Sequence, residues 1–276
     1  MEGSLSDATS KRDRGDRGSG ALDAADSERE ATADRLVDRI PGAWATLVLA
    51  AVLVLNHIAV GLVPYMRGRA EWWEVLISRR GPRLLARCGA MRTRAVDRGQ
   101  LYRLVSATFL HADALHLLLN TVSLVVVGRV VEAVFGRVRM LWVFLISAMS
   151  GATASWLIGR TDASVGASGG VFGLLGAIVI FGWRHRHELP DDIGRVFRRR
   201  VAVIAVANLA LGIPLRFIDD LAHFGGLVAG LIAGTLLSNE VTPGERPTRG
   251  WTIVLAVLSA TFVGLAIRGV ANNWGL

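Results

Sequence analysis

Long apolar windows separated by polar connections dominate the chain. They run from Trp44 to Val63, Ala114 to Val131, Met140 to Gly159, Ser168 to Trp183, Val201 to Leu215, Leu221 to Leu237 and Trp251 to Ile267. Each is long enough to cross or nearly cross the hydrocarbon core of a bilayer as a helix, so the pattern predicts seven spans. Several are short. At ~1.5 Å per residue the fourth window covers about 24 Å of a slab about 30 Å thick, which places its first residue below one membrane surface. Ahead of the first window the chain is polar, mixed in charge and poor in aromatics, and reads as a solvated tail with one weak helix near Glu28 to Ile40. The tail opens on no apolar signal-peptide core, and acidic residues such as Asp7, Asp13, Asp16 and Asp23 argue against a transit peptide. The expected layout is a polar, disordered cytoplasmic tail over 1–42, a six-span core over 43–238 and a linker with a seventh span over 239–276. Within the core, 66–103 is a long interfacial loop.

Composition agrees with this reading: 52% of the 276 residues are hydrophobic, more than a soluble domain of this length normally carries. A single cysteine, Cys88, excludes a disulfide-stapled fold and a cysteine-ligated zinc site, and reads as an inert structural thiol. The net charge of +8 comes almost wholly from arginine, placed between apolar runs where anionic headgroups rather than nucleic acid are the nearer partner. The connections Arg129 to Arg139 and Arg184 to Arg200 are arginine-rich, whereas those after spans three and five carry only Arg160 and Arg216. By the positive-inside rule the N-terminus and the basic loops are cytoplasmic, in a multi-pass protein of the cell (plasma or inner) membrane. The loop from Met66 to Arg103 opposes this with about ten arginines. Its length and its Trp72–Trp73 pair suggest a folded interfacial element.

Polar side chains inside spans carry a high desolvation cost and so ask for a reason. Four stand out: His116 and Asn120 early in span two, Ser168 at the start of span four, and His223 early in span six. Spans two, four and six cross in the same direction, so all four side chains lie toward one membrane face whichever way the protein sits. His116 and Asn120, four residues apart, share one side of a helix. Ser168 sits in Gly166-Ala167-Ser168-Gly169-Gly170. Gly173 and Gly176 on span four, with Gly226, Gly230 and Gly234 on span six, supply small faces for close helix packing. That packing would bring Ser168 and His223 within hydrogen-bond reach. A serine activated by histidine is a covalent acyl-transfer site, with Ser168 as nucleophile and His223 as base. The Ser168 N–H at a helix N-terminus, with Asn120 and His116, would hold the oxyanion.

These residues resemble the motifs of the rhomboid family of intramembrane serine proteases. Tyr102-Arg103 and His111-Ala-Asp-Ala-Leu-His116-Leu-Leu-Leu-Asn120 enter span two, with Glu132 and Gly136 after it. Gly166-Ala-Ser168-Gly-Gly-Val-Phe172-Gly-Leu-Leu-Gly176 resembles the nucleophile motif, and Ala222-His223-Phe-Gly225-Gly226 with Gly230 the histidine motif. The matching stretch covers about Gln100 to Gly234. Tyr102 stands where the family often has Trp, and a seventh span follows the six-span core. The resemblance implies an all-α polytopic fold, a six-span rhomboid-like helical core plus one C-terminal span. It implies a Ser168–His223 dyad, with Gly166, Gly169, His111 and Arg103 supporting it. It implies no metal and no cofactor. Substrates would be single-span or other membrane proteins in the lipid bilayer, cut in or beside their transmembrane segments.

Other readings of the same residues are weaker. Gly166-x-Ser168-x-Gly170 fits an esterase elbow, which needs a preceding strand that this pattern lacks. His111 and His116, five apart, lack zinc-protease spacing. His111 reads as a structural hydrogen-bonder, His57 as an interhelical one, and His185 and His187 as residues of a solvent-facing loop. Asp219, one turn before His223, reads as a helix-start residue rather than a triad member, and Glu132 with Arg129 as an ion pair or cap. A non-catalytic rhomboid-like protein that binds membrane clients is the alternative function, though such relatives lack Ser or His. A transporter would want an inverted repeat, and none is found.

Overall fold

The structure, a computed structural model, describes residues 24–159, 163–212, 219–245 and 248–274. Most of the expected tail, as well as Arg160, Arg216 and the end of the fifth window at Leu215, lies outside the described residues.

The helix expected near Glu28 to Ile40 is present as α1, over residues 24–39. A turn at Pro41–Gly42 separates it from α2 (Trp44–Met66), the first apolar window. The arginine-rich loop folds into four short helices, α3 (Glu74–Ile77), α4 (Pro82–Arg87), α5 (Thr93–Asp97) and α6 (Arg103–Ser106). Then follow α7 (Ala114–Phe135), α8 (Arg137–Ala154, continued by a π turn to Gly159) and α9 (Ser168–Arg184). After them come α10 (Asp191–Arg195), α11 (Val201–Gly212), α12 (Asp220–Leu236) and α13 (Arg249–Trp274). Each of the seven apolar windows thus forms a helix, the fifth over its described part, and the described residues contain no strand beyond one isolated bridge.

Four stretches are long and apolar enough to cross a membrane: Ala24–Met66, which contains α2, then Ala114–Phe135, Arg137–Gly159 and Arg249–Asn273. The helices α9 and α12 are shorter and glycine-rich. Large apolar side chains such as Leu55, Leu118, Val126, Ile253 and Leu265 stand exposed on α2, α7 and α13. Water would penalise such a surface, whereas lipid tails are its natural solvent. The protein is an all-α polytopic membrane protein.

In the core α8, α9 and α12 pack against one another, with Phe144 of α8 and Leu174, Ile178 and Phe181 of α9 buried. Gly226 and Gly230 of α12 lie directly on the backbone of Gly169 and Gly173, so closely that a Cβ on either would overlap the facing carbonyl. Two membrane helices gain dispersion contact at this separation only if both faces are small. The helix α13 packs on α8, where Trp142 and Phe262 stack at 6.1 Å, and its end reaches the loop, where Asn273 Nδ2 donates to the Arg87 carbonyl at 2.8 Å.

The cap expected of Glu132 is present, whereas its ion partner and the placement of His185 are corrected. Glu132 is buried and accepts from the Ala45 and Thr46 N–H groups and the Thr46 hydroxyl at 2.7–3.0 Å, thereby capping α2, with Arg137 rather than Arg129 as its ion partner. Arg129 donates to the Ile40 carbonyl instead. His185 is buried, against Glu188 and Asn239, because the loop after α9 folds back beneath the end of α12; His187 is exposed as expected.

Candidate active site

Asp113 caps α7 by accepting the His116 N–H at 2.9 Å, an Asp-x-x-His pattern legible in the sequence as a helix start. The cap fixes where α7 begins and so aims His116 and, one turn on, Asn120. Both side chains lie over Gly166, whose φ of +125° is one that residues with a side chain rarely adopt. A Cβ at Gly166 would stand 2.8 Å from the His116 ring and 3.9 Å from Asn120 Nδ2, so glycine is required both for the turn and for the approach. Asn120 is buried and spends one amide donor on the His116 carbonyl at 2.9 Å, leaving the second of its two N–H groups.

Two residues beyond Gly166, Ser168 opens α9. The first N–H groups of a helix have no carbonyl four residues behind them, so the N-terminus of α9 offers free donors beside Ser168 Oγ. Asp219 caps α12 through the Ala222 N–H at 3.1 Å and sets the rotation of His223 on the first turn. His223 Nε2 lies 2.8 Å from Ser168 Oγ. Its ring stacks on Phe172 at 4.4 Å between centroids and 15° between planes. Phe172 is one turn after Ser168, so a single helix supplies both the hydroxyl and the platform that orients the imidazole facing it. Phe172 was missed as an orienting residue, although its spacing of four from Ser168 was visible.

Among the described residues His223 Nδ1 has no hydrogen-bond partner. The Asp219 carboxylate accepts from Ala222 and from Ser155 Oγ at 2.6 Å, in keeping with a helix-start role. With the ring proton on Nδ1, the Ser168 hydroxyl donates to Nε2, and stacking rather than a carboxylate holds the ring. His111 is buried edge-on to the His116 ring at 5.2 Å, and neither of its ring nitrogens has a partner among the described residues. It packs beside the site rather than bonding as expected. His57 does bond between elements, to the Leu76 carbonyl and to Arg80.

The arginine-rich loop holds the turn before Ser168. Met91 and Ser164 exchange backbone hydrogen bonds at 3.1 and 2.9 Å, and the Gly166 N–H bonds the Ala107 carbonyl at 3.0 Å. Arg103 ties the loop itself, donating to the Ala86 and Ala90 carbonyls and to Gln100. Arg103 therefore acts at a distance from Ser168, through the loop. No group of three or more His, Cys, Asp or Glu side chains is gathered as metal ligands among the described residues.

Residues 98–240 match the profile of the Rhomboid domain, a stretch that contains Arg103, His111, His116, Asn120, Gly166, Ser168, Phe172 and His223. RHOMBOID-like protein 5 of Arabidopsis thaliana is 36% identical over 224 residues, 72% of this chain and 70% of its own length. RHOMBOID-like protein 4 of the same plant is 34% identical over 191 residues, but there the chain spans only 47% of the relative. Rhomboid protease GluP of Bacillus subtilis is 34% identical over 149 residues, which are 28% of that protein. The chain spans about half the length of RHOMBOID-like protein 4 and less of the bacterial relative, so the likeness concerns the membrane core. Both the profile match and the two-sided coverage lead to one conclusion: the chain belongs to the rhomboid family.

Proposed function

We propose that this protein is an intramembrane serine protease that cuts peptide bonds in or just outside the transmembrane segments of other membrane proteins. The observation that carries the reading is the 2.8 Å contact between Ser168 Oγ and His223 Nε2 at the start of a short buried helix. Ser168 Oγ attacks the scissile carbonyl carbon while its proton passes to His223 Nε2. The carbonyl oxygen, now negative, takes hydrogen bonds from the Ser168 N–H, Asn120 and His116. As the tetrahedral centre collapses, the C–N bond breaks, His223 delivers its proton to the leaving amine, and an ester to Ser168 remains. Water, deprotonated by His223, then hydrolyses that ester. A helical substrate hides its carbonyls in hydrogen bonds, so preferred substrates carry Gly, Pro or small residues near the cut and unwind readily.

On this reading residues 43–238 form the protease core and 239–276 add a linker and a seventh span, in a cell membrane with the N-terminus cytoplasmic. The 17 residues of α9 reach about 25 Å, so with Arg184 at the inner surface Ser168 lies roughly 5 Å below the outer hydrocarbon boundary. Substrates are then cut near the outer end of their own span. The test is purified protein in liposomes with a model single-span substrate. Ser168→Ala and His223→Ala are each expected to abolish cleavage, and the double variant to lose no more than either alone, since the pair acts as a unit. Cleavage by Ser168→Ala at the wild-type rate would sink the proposal.

A further inference from the structure

At the membrane face opposite Ser168, where α7 turns into α8 at Gly136, the protein holds a cavity of about 670 Å³. Its lining gathers Arg39 from α1, Arg137 and Arg139 from α8 and Arg249 from α13, against two carboxylates, Glu132 and Glu240. Four guanidiniums less two carboxylates leave two positive charges. Glu240 is engaged by Arg39 and lies 3.6 Å from Arg139, and Glu132 is spent on the cap of α2. Arg137 reaches Glu132 only at 3.8 Å and is 56% exposed, and Arg249 is exposed and makes no ion pair among the described residues. Glu240 thus balances only one of Arg39 and Arg139, so the excess charge belongs to the cluster as a whole, with Arg137 and Arg249 as its exposed guanidiniums. The first turn of α8 lines the same cavity and has no side-chain cap, so its backbone N–H groups add to the positive field.

The mouth carries the residue types of a membrane interface. The Arg137 guanidinium sits 4.9 Å over the Trp44 ring, and Trp44 and Trp251 stand exposed at the starts of α2 and α13, as aromatic residues do at a membrane interface. Lipid-exposed Ile253 continues the lining toward the hydrocarbon. A free phosphate would meet the guanidiniums but make no use of this apolar and aromatic margin.

We propose that this cavity binds the phosphate of one anionic phospholipid headgroup, with Arg137 and Arg249 as its charged contacts, and that the lipid ties α13 to the α7–α8 turn. Native mass spectrometry of the full chain in zwitterionic detergent, with phosphatidylglycerol and phosphatidylcholine of identical acyl chains, reads the site. Wild type is expected to prefer phosphatidylglycerol for its tightest-bound lipid by roughly tenfold or more, because phosphatidylcholine offers the same phosphate but cancels its charge with a choline cation that two guanidiniums repel. R137Q/R249Q should lose that preference, R137K/R249K should keep most of it, and R199Q/R200Q, in the other basic loop, should leave it intact. Because both glutamine positions are exposed, the single variant R249Q serves as a second reading if the double variant fails to fold, and should weaken the preference by several-fold. Equal retention of the two lipids by wild type, or no weakening in R249Q, overturns the proposal. Displacement of the lipid by millimolar inorganic phosphate overturns the assignment to a lipid and makes the cavity a free-phosphate site.

Discussion

Ser168 and His223 are 55 residues apart in the chain, yet the orientation of each is set locally. Ser168 takes its place from the turn at Gly166, and His223 takes its own from the Asp219 cap and the ring of Phe172. Asn120 and His116 are held one step further out, over Gly166. That arrangement separates two grades of loss. Asn120→Ala and His116→Ala should each slow cleavage less completely than loss of the dyad, because the Ser168 N–H remains. Removal of one oxyanion donor costs about 3 kcal/mol, on the order of a hundredfold in kcat. Single-turnover assays of folded variants check this, and full activity in either variant would remove that residue from the oxyanion role.

The pairing of α9 with α12 is where the element scale decides function. Because Gly226 and Gly230 meet the backbone of Gly169 and Gly173, a larger side chain must either push α12 away or distort it. Gly230→Val should therefore cost about 1–3 kcal/mol of stability through overpacking and also lower cleavage, with both dyad residues still present. Gly264 offers the contrast. It lies on α13 with nothing within 4 Å of a built Cβ, so Gly264→Val should be close to neutral. Thermal unfolding and cleavage measured side by side on the two variants test whether the small-residue face positions the chemistry. Equal behaviour of the two would show that close packing at Gly230 does not matter.

For the whole molecule, the proposed protease activity makes the direction of insertion decide which end of a substrate would be cut. With the basic loop between α9 and α11 in the cytoplasm, a single cysteine placed at the exposed His187 should escape an impermeant thiol reagent in intact cells and react after lysis. The native Cys88 gives little background, since it is buried and its thiol is pushed up to about 11 by desolvation. A protonated thiol reacts slowly with such a reagent. Labelling at position 187 in intact cells would reverse the orientation and place the cut near the cytoplasmic end of the substrate span.

The seven apolar windows by themselves determined the helical class and the order of the spans, because apolar length is read directly by a bilayer. They also put His116, Asn120, Ser168 and His223 toward one face, since alternate spans run in the same direction. Asp219 was legible as a helix start, because a cap acts on an N–H only three residues away, whereas the like cap of Asp113 went unread. Tertiary structure alone decided the contacts between elements. Phe172 beneath the imidazole, Glu132 on the start of α2, His185 under the end of α12 and the Met91–Ser164 bridge all depend on how far each helix is rotated about its axis and where the arginine-rich loop folds back. Local periodicity carries no record of either. The same limit hid the cationic cavity: its arginines come from three helices spread over residues 39 to 249, and only packing brings them to one membrane face.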